Sequence, residues 1–142
     1  MPGKPFRVES RACARPGHRI VRLVGRVELD TVPEFLRALR AEQAAAVILD
    51  LSDVSYLDSS GVGALIQTYS SLRRADRRLA LVAPTDRVQA VLEVTRVHKL
   101  FQIYPTVAEA EIRLARAEAH TTFQHPTRLL VRAPWWRGAA GA

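Results

Sequence analysis

The sequence is poor in cysteine and has no long apolar segment. Its 142 residues contain one cysteine, Cys13, so an intramolecular disulfide and a metal site built from cysteines are both excluded. No apolar run approaches the roughly 20 residues that a membrane-spanning helix needs, and residues 1–19 lack the apolar core of a secretory signal. With 48% hydrophobic residues, the chain still has enough apolar side chains for a folded core. We therefore expect a soluble protein of the cytoplasm that does not contact a membrane.

The motifs of nucleotide-binding and hydrolytic enzymes are also missing. No glycine-rich phosphate-binding loop follows a predicted strand, and no G-x-S-x-G nucleophile elbow is present. Four histidines lack a partner at metal-ligand spacing, namely His18, His98, His120 and His125. Neighbouring arginines would lower the pKa of Cys13, but no second cysteine is present to resolve an oxidised form, so we interpret it as an incidental thiol. These absences predict no enzyme, no catalytic residue, no metal and no cofactor.

The net charge of +7 is confined to the two ends of the chain. Residues 1–19 hold five basic side chains and one acidic one, and residues 119–142 hold three basic and no acidic side chains. The 99 residues between them hold thirteen of each sign. A domain that binds DNA normally carries a basic stripe on its folded surface, so this distribution argues against direct binding of nucleic acid. We divide the chain into a basic N-terminal arm, a domain and a basic C-terminal tail, at residues 1–17, 18–117 and 118–142.

Patterns of apolar residues alternate between those of strands and those of helices. Short apolar runs predict strands at residues 19–25, 47–51, 79–83 and 100–104. Amphipathic stretches predict a helix after each of these strands, over residues 31–43, from about 59 to the arginines at 73–78, from 84 onwards and over 106–116. A further strand near residues 6–13 has weaker support. The order predicts one α/β domain with a mostly parallel central sheet of four or five strands and about four helices.

Helix starts are marked in two places by the same local pattern. Thr31 and Thr106 each precede a glutamate by three residues, at Glu34 and Glu109. This spacing is typical of a capping box, in which the threonine and glutamate side chains each accept a hydrogen bond from a backbone N–H of the first turn. We therefore predict that both threonines cap helices through their side chains.

The segment 50–63 differs from the rest of the chain in having two glycines at the start of a predicted helix. Asp58, Ser59 and Ser60 would begin this helix, and Gly61 and Gly63 lie in its first turn at a cost of about 1 kcal/mol each relative to alanine. One interpretation is plain N-capping by Asp and Ser. The alternative is a partner-binding or modification site, because small residues leave the serine hydroxyls uncrowded at a helix N-terminus that tolerates an added phosphate.

Three stretches resemble one known family. Asp58-Ser-Ser-Gly-Val-Gly63 resembles the signature of the STAS domain, specifically that of anti-sigma factor antagonists. Gly25-Arg-Val-Glu-Leu-Asp-Thr-Val-Pro-Glu34 is similar to the family's G-x-L-D-x-x-T-x-P-E stretch, and residues 100–110 are similar to its last strand and final helix. The resemblance covers about residues 18–116.

The resemblance implies a function without catalysis. Unphosphorylated antagonists of this family bind an anti-sigma factor and so release the sigma factor that it holds. The anti-sigma factor is often a serine kinase that phosphorylates the antagonist and ends the interaction, and a serine phosphatase restores it. The phosphorylated serine corresponds to Ser59, and a homodimer is compatible with the family. The implied partner-binding residues are Glu28, Asp30, Thr31, Asp58, Ser59, Ser60, Gly61, Val62 and Gly63.

The sequence departs from the family pattern at two places. Glu28 stands where much of the family has Asp, and Thr95 or Arg96 must end the third helix where the family usually has glycine.

Two other functions are alternatives to a switched antagonist. A STAS scaffold without a switch, serving a transport or sensory assembly, is the main alternative. A binder of nucleic acid or of an anionic surface, acting through the basic ends, is the second.

Overall fold

Ten regular elements make up the part of the chain that the structure describes. The structure is a computed structural model that describes residues 5–124, with side chains to residue 117. Five strands are β1 Arg7–Ala12, β2 His18–Val27, β3 Ala46–Leu57, β4 Arg78–Val82 and β5 Gln102–Tyr104. Four α-helices are α1 Val32–Ala41, α2 Ser59–Arg74, α3 Asp86–Val94 and α4 Val107–Gln124, and a 3₁₀ turn covers Val97–Lys99.

The strands form one sheet in the order β1-β2-β3-β4-β5. β1 runs antiparallel to β2, while β2, β3, β4 and β5 run parallel to one another. The predicted α/β class, the mostly parallel five-stranded sheet and the four helices are therefore confirmed. The first strand, which had weaker support from the sequence, is present at one edge of the sheet.

Helices cover both faces of the sheet. Successive side chains of a strand point to opposite faces, so β3 contributes buried residues to a cluster on each face. Val47 and Leu49 belong to the large cluster that packs against α1, α2 and α3. Ala46 and Ile48 belong to a smaller cluster that includes Ala110 of α4. A strand buried on both faces has a nearly continuous apolar run, which is the pattern that the sequence shows at residues 47–51.

β3 continues to Leu57, six residues beyond the predicted strand, which ended at residue 51. After Asp50, β3 pairs only with β2, because β4 ends at Val82. The exposed serines at 52 and 55 therefore face solvent beside buried Val54 and Leu57. The polar residues are compatible with a strand at this one-sided extension, and the longer strand carries the chain to the level where α2 begins.

The two predicted capping boxes have different outcomes. The Thr106 hydroxyl accepts a hydrogen bond from the Glu109 N–H at 3.1 Å, as predicted. Thr31 lies at the N-cap of α1 but makes no side-chain cap, so that prediction is wrong. Its hydroxyl donates to the Arg26 carbonyl at 2.8 Å and accepts from the Glu28 N–H at 3.0 Å, so it closes the preceding loop instead.

α4 is longer than the sequence predicted, ending at Gln124 and not near Arg116. The rest of the predicted basic tail, with Trp135 and Trp136, lies outside the described residues. In the part of the chain that the structure describes, no helix combines the length and hydropathy that crossing a bilayer requires.

Gly61 allows α2 to begin in close contact with the end of β2. A Cβ at position 61 would lie 2.5 Å from the Val27 carbonyl oxygen and 2.6 Å from Cδ1 of Leu57. A Cβ at position 63 would meet nothing within 4 Å. Of these two glycines, Gly61 is therefore the one whose missing Cβ the packing inside the domain requires.

α3 ends on a residue in a strained conformation. Thr95 is the C-cap, and Arg96 follows with φ of 65°, in the left-handed region that favours glycine. Thr95 and Arg96 therefore end the helix, and Arg96 takes the left-handed conformation without being glycine. Arg96 is exposed, so the strain is not offset by burial of its side chain.

We predict that Arg96→Gly stabilises the domain by about 0.5–1 kcal/mol, because the relief of left-handed strain exceeds the added chain entropy of glycine. Arg96→Ala removes the same side chain but keeps Cβ, so it should leave stability unchanged. Urea unfolding of the three proteins measures the difference. A gain from alanine equal to that from glycine would show that the side chain, and not the backbone conformation, is the cause.

Replacement of Gly61 and of Gly63 by alanine should change the stability of the domain in opposite directions. We predict that Gly61→Ala lowers the free energy of unfolding by about 1–3 kcal/mol, because the added methyl group overlaps the Val27 carbonyl. Gly63→Ala should raise it by up to about 1 kcal/mol through helix propensity alone. Thermal denaturation of both variants checks this pair, and loss of stability in both would contradict the open space at position 63.

Candidate functional site

The predicted site forms where two parallel strands end side by side. β2 leads into the loop 28–31, and β3 leads into the start of α2. Because neighbouring parallel strands end at the same edge of a sheet, the two segments meet there. The Asp58 N–H donates to the Val27 carbonyl at 3.3 Å, which joins the two strand ends directly.

The Asp58 carboxylate holds this junction together. Its Oδ1 accepts a hydrogen bond from the Gly61 N–H at 2.8 Å, which caps α2. Its Oδ2 accepts from the Leu29 N–H at 3.2 Å, which anchors the loop. The N-capping predicted for this segment is therefore present, and the same side chain also fixes the position of a second segment.

Ser59 is the first residue of α2, and its side chain is exposed. Ser60 follows and is half-buried. The first N–H groups of a helix have no acceptor in a preceding turn, and in α2 the Gly61 N–H donates to the Asp58 carboxylate instead. A hydroxyl in this position is accessible to an enzyme, and a phosphate attached to it would lie beside N–H donors and the positive end of the helix dipole.

The loop beside Ser59 is acidic and well ordered by its own hydrogen bonds. Glu28 pairs with Arg26 at 3.1 Å, and the Arg26 guanidinium lies 4.2 Å from the centre of the Tyr56 ring. Asp30 is exposed, and Thr31 holds the loop through the two hydrogen bonds given above. The surface around Ser59 therefore carries the carboxylates of Asp30 and Asp58, together with that of Glu28, which is paired with Arg26.

Two of the nine predicted partner-binding residues are buried. Gly61 packs against β2, and Val62 is 6% exposed and belongs to the core cluster. Their burial leaves these two residues little surface for a docked protein. The other seven lie at the same edge of the sheet and are exposed or half-buried. Partner binding by the nine residues stays a prediction.

Leu29 is a site residue that the sequence analysis missed. It is 69% exposed and lies between Glu28 and Asp30 in the loop, with its backbone held by Asp58. Its position outside the apolar stripe of α1, between two acidic residues, was the signal in the sequence. A large apolar side chain exposed beside Ser59 is a natural contact for a protein partner.

Other candidate groups show no comparable arrangement. Burial raises the pKa of the Cys13 thiol to about 11, with a further contribution from Glu111, and Arg11 and Arg19 only partly oppose it. The arginines lower the pKa as expected, but burial and Glu111 outweigh them, so the net shift is upward. Among residues with described side chains, no group of three His, Cys, Asp or Glu could hold a metal ion.

Comparison with known proteins places this geometry in a family. The model of the STAS domain matches residues 11–110. An anti-sigma-B factor antagonist from Staphylococcus aureus is 29% identical over 86 residues, which are 58% of this chain and 80% of that protein. A putative anti-sigma factor antagonist from Thermotoga neapolitana is 36% identical over 64 residues, which are 45% of this chain and 57% of the relative.

A solved structure agrees with the sequence relatives. The crystal structure of an anti-sigma factor antagonist from Mycobacterium paratuberculosis is similar with a TM-score of 0.69 and 25% identity, over 77% of this chain and 93% of that one. The family model covers more than half of the chain, and the Asp58-to-Gly63 motif begins α2 as the resemblance implies. The chain belongs to the STAS domain family.

Proposed function

We propose that this protein is an anti-sigma factor antagonist whose binding to an anti-sigma factor is ended by phosphorylation of Ser59. The observation that carries the proposal is the exposed Ser59 side chain at the start of α2, within a surface formed by the loop 28–31. The similarity to anti-sigma factor antagonists supports the same function. This action would take place in the cytoplasm, where transcription is regulated.

The proposed switch is electrostatic. A phosphoserine carries about −1.5 to −2 charges at neutral pH. At Ser59 it would join the carboxylates of Glu28, Asp30 and Asp58, so the docking surface would become strongly negative. Since the N-terminus of α2 tolerates an anion, the domain would stay folded while a docked partner is repelled.

The chemistry of the switch belongs to the partner. The Ser59 hydroxyl oxygen attacks the γ-phosphorus of ATP, the bond to ADP breaks, and the hydroxyl proton passes to a base of the anti-sigma factor kinase. A serine phosphatase reverses the step by hydrolysis. The chain described here would supply only the acceptor hydroxyl and the surface that presents it, so it acts as a substrate and not as an enzyme.

We predict that Ser59→Ala abolishes phosphate transfer from ATP by the cognate anti-sigma factor kinase, while Ser60→Ala retains it. Ser60 is the matched control, since it is the adjacent hydroxyl and is half-buried. Mass spectrometry of the intact protein counts the phosphates added. Equal labelling of the wild type and Ser59→Ala would refute the assignment.

The effect of charge on partner binding can be tested with two substitutions at Ser59 whose side chains have nearly the same size. Ser59→Asp should weaken binding to the anti-sigma factor by about tenfold or more, because it adds charge to the docking surface. Ser59→Asn changes the shape similarly without charge and should bind much more tightly than Ser59→Asp. If both bind as the wild type does and the recovered partner is a transporter ATPase, the chain is a scaffold without a switch.

Leu29 should contribute to partner affinity without contributing to stability. We predict that Leu29→Ser weakens binding by about tenfold, since burial of a leucine side chain is worth about 1.5–3 kcal/mol. Val94, 82% exposed at the end of α3, gives the control variant Val94→Ser. Calorimetric titration with the anti-sigma factor measures both. Equal effects of the two substitutions would place the docking surface elsewhere.

A further inference from the structure

Charges of opposite sign are separated between the two edges of the sheet. Every α-helix follows a parallel strand, so the helices begin at the carboxyl edge and end at the amino edge. The first turns of three helices carry the acidic residues Glu34, Asp86 and Glu109. The last turns of α1 and α2 are basic. The ends of α1 and α2 therefore form a basic region, called here the basic end, within a stretch whose summed charge is zero.

A cleft lies at this basic end, between the last turns of α2, the starts of β4 and β5, and α4. Its volume is about 160 Å³. Four arginines from three parts of the chain line it, namely Arg73, Arg77, Arg78 and Arg113. Tyr69 and Tyr104 also line it. Arginines that only complement a helix dipole would lie in a last turn, whereas Arg78 is on β4 and Arg113 is on α4.

Neutral acceptors hold two of these guanidinium groups in place. Arg77 donates from Nε to the Ala44 carbonyl and from Nη2 to the Glu42 carbonyl, both at 2.7 Å. Arg73 donates from Nη1 to the Tyr69 hydroxyl at 2.9 Å, with its guanidinium 5.9 Å from the ring centre. Within residues 5–117, Arg73 and Arg77 form no ion pair with a carboxylate. The two side chains are therefore positioned but not neutralised.

The donors that remain define the chemistry of a ligand. A guanidinium has five N–H groups, so Arg77 retains about three and Arg73 about four beyond those hydrogen bonds. Such fixed donors match an anion with several oxygens, above all a phosphate group. The volume of about 160 Å³ is large enough for one phosphate group. The remainder of a larger ligand would extend into solvent.

We propose that this cleft binds the phosphate group of inorganic phosphate or of a phosphomonoester. The site does not depend on the proposed function, because it lies at the other end of α2, about 22 Å along the helix from Ser59. A phosphate bound here would add negative charge at the basic end of the domain and would leave the surface around Ser59 unoccupied.

The test is a titration of the full-length protein with sodium phosphate at constant ionic strength, followed by backbone amide NMR. We expect saturable shifts at residues 73, 77–79, 102–104 and 113, with a Kd of about 1 mM or tighter. Arg73→Gln should weaken binding at least tenfold. Arg74→Gln is the matched control, since it removes the same charge from the next residue of the same turn but does not line the cleft.

The outcomes separate the proposal from general attraction between charges. Equal weakening in the two variants, or no saturation up to about 10 mM phosphate, would overturn it. Arg113→Gln provides a second variant, in case Arg73→Gln perturbs α2, and should weaken binding in the same way. Two further arms, with adenosine monophosphate and with vesicles containing phosphatidic acid, identify the source of the phosphate group. Binding of either ligand that is tighter than binding of inorganic phosphate supports the site, provided that Arg73→Gln abolishes that binding.

Discussion

The candidate site depends on one carboxylate that accepts hydrogen bonds from two segments. Asp58 caps α2 through the Gly61 N–H and anchors the loop 28–31 through the Leu29 N–H. The loop is also held internally by Thr31, but the Asp58 side chain is what fixes it relative to the start of α2. The contact requires α2 to begin against the last residue of β2, and that approach is possible because position 61 has no Cβ. The geometry of the site thus follows from an aspartate and a glycine three residues apart.

The parallel sheet explains why the two proposed phosphate-handling regions are chemically opposite. All four helices point the same way, and acidic side chains lie in the first turns of α1, α3 and α4, while basic side chains lie in the last turns of α1 and α2. At Ser59, a phosphate would be attached covalently among carboxylates, where its charge disfavours a partner. At the cleft near Arg77, a phosphate would bind reversibly among guanidinium groups, where its charge is the source of affinity. One helix, α2, connects the two regions.

The sequence predicts those features that depend on neighbouring residues. Alternating strand and helix patterns were sufficient for the fold class, and the motif at 58–63 was sufficient for the start of α2. The missed features depend on residues far apart in the chain. The extension of β3 through Ser52 and Ser55 requires β2 beside it, and the different roles of Gly61 and Gly63 require the position of Val27. The pKa of Cys13 depends on burial and on Glu111 of α4, which no local pattern shows.

The size of the electrostatic effect shows that one phosphate is sufficient for a switch. A charge of about −2 placed about 6 Å from a single partner carboxylate is repelled by about 1.4–2.8 kcal/mol at an effective dielectric constant between 80 and 40. This corresponds to a tenfold to hundredfold loss of affinity for each such carboxylate. Within the domain, the positive end of the α2 dipole offsets part of the repulsion between a phosphate on Ser59 and the neighbouring Asp58 carboxylate. The repulsion of a partner's carboxylates arises only in the complex, so the proposed phosphate would release a docked partner without requiring the domain to unfold.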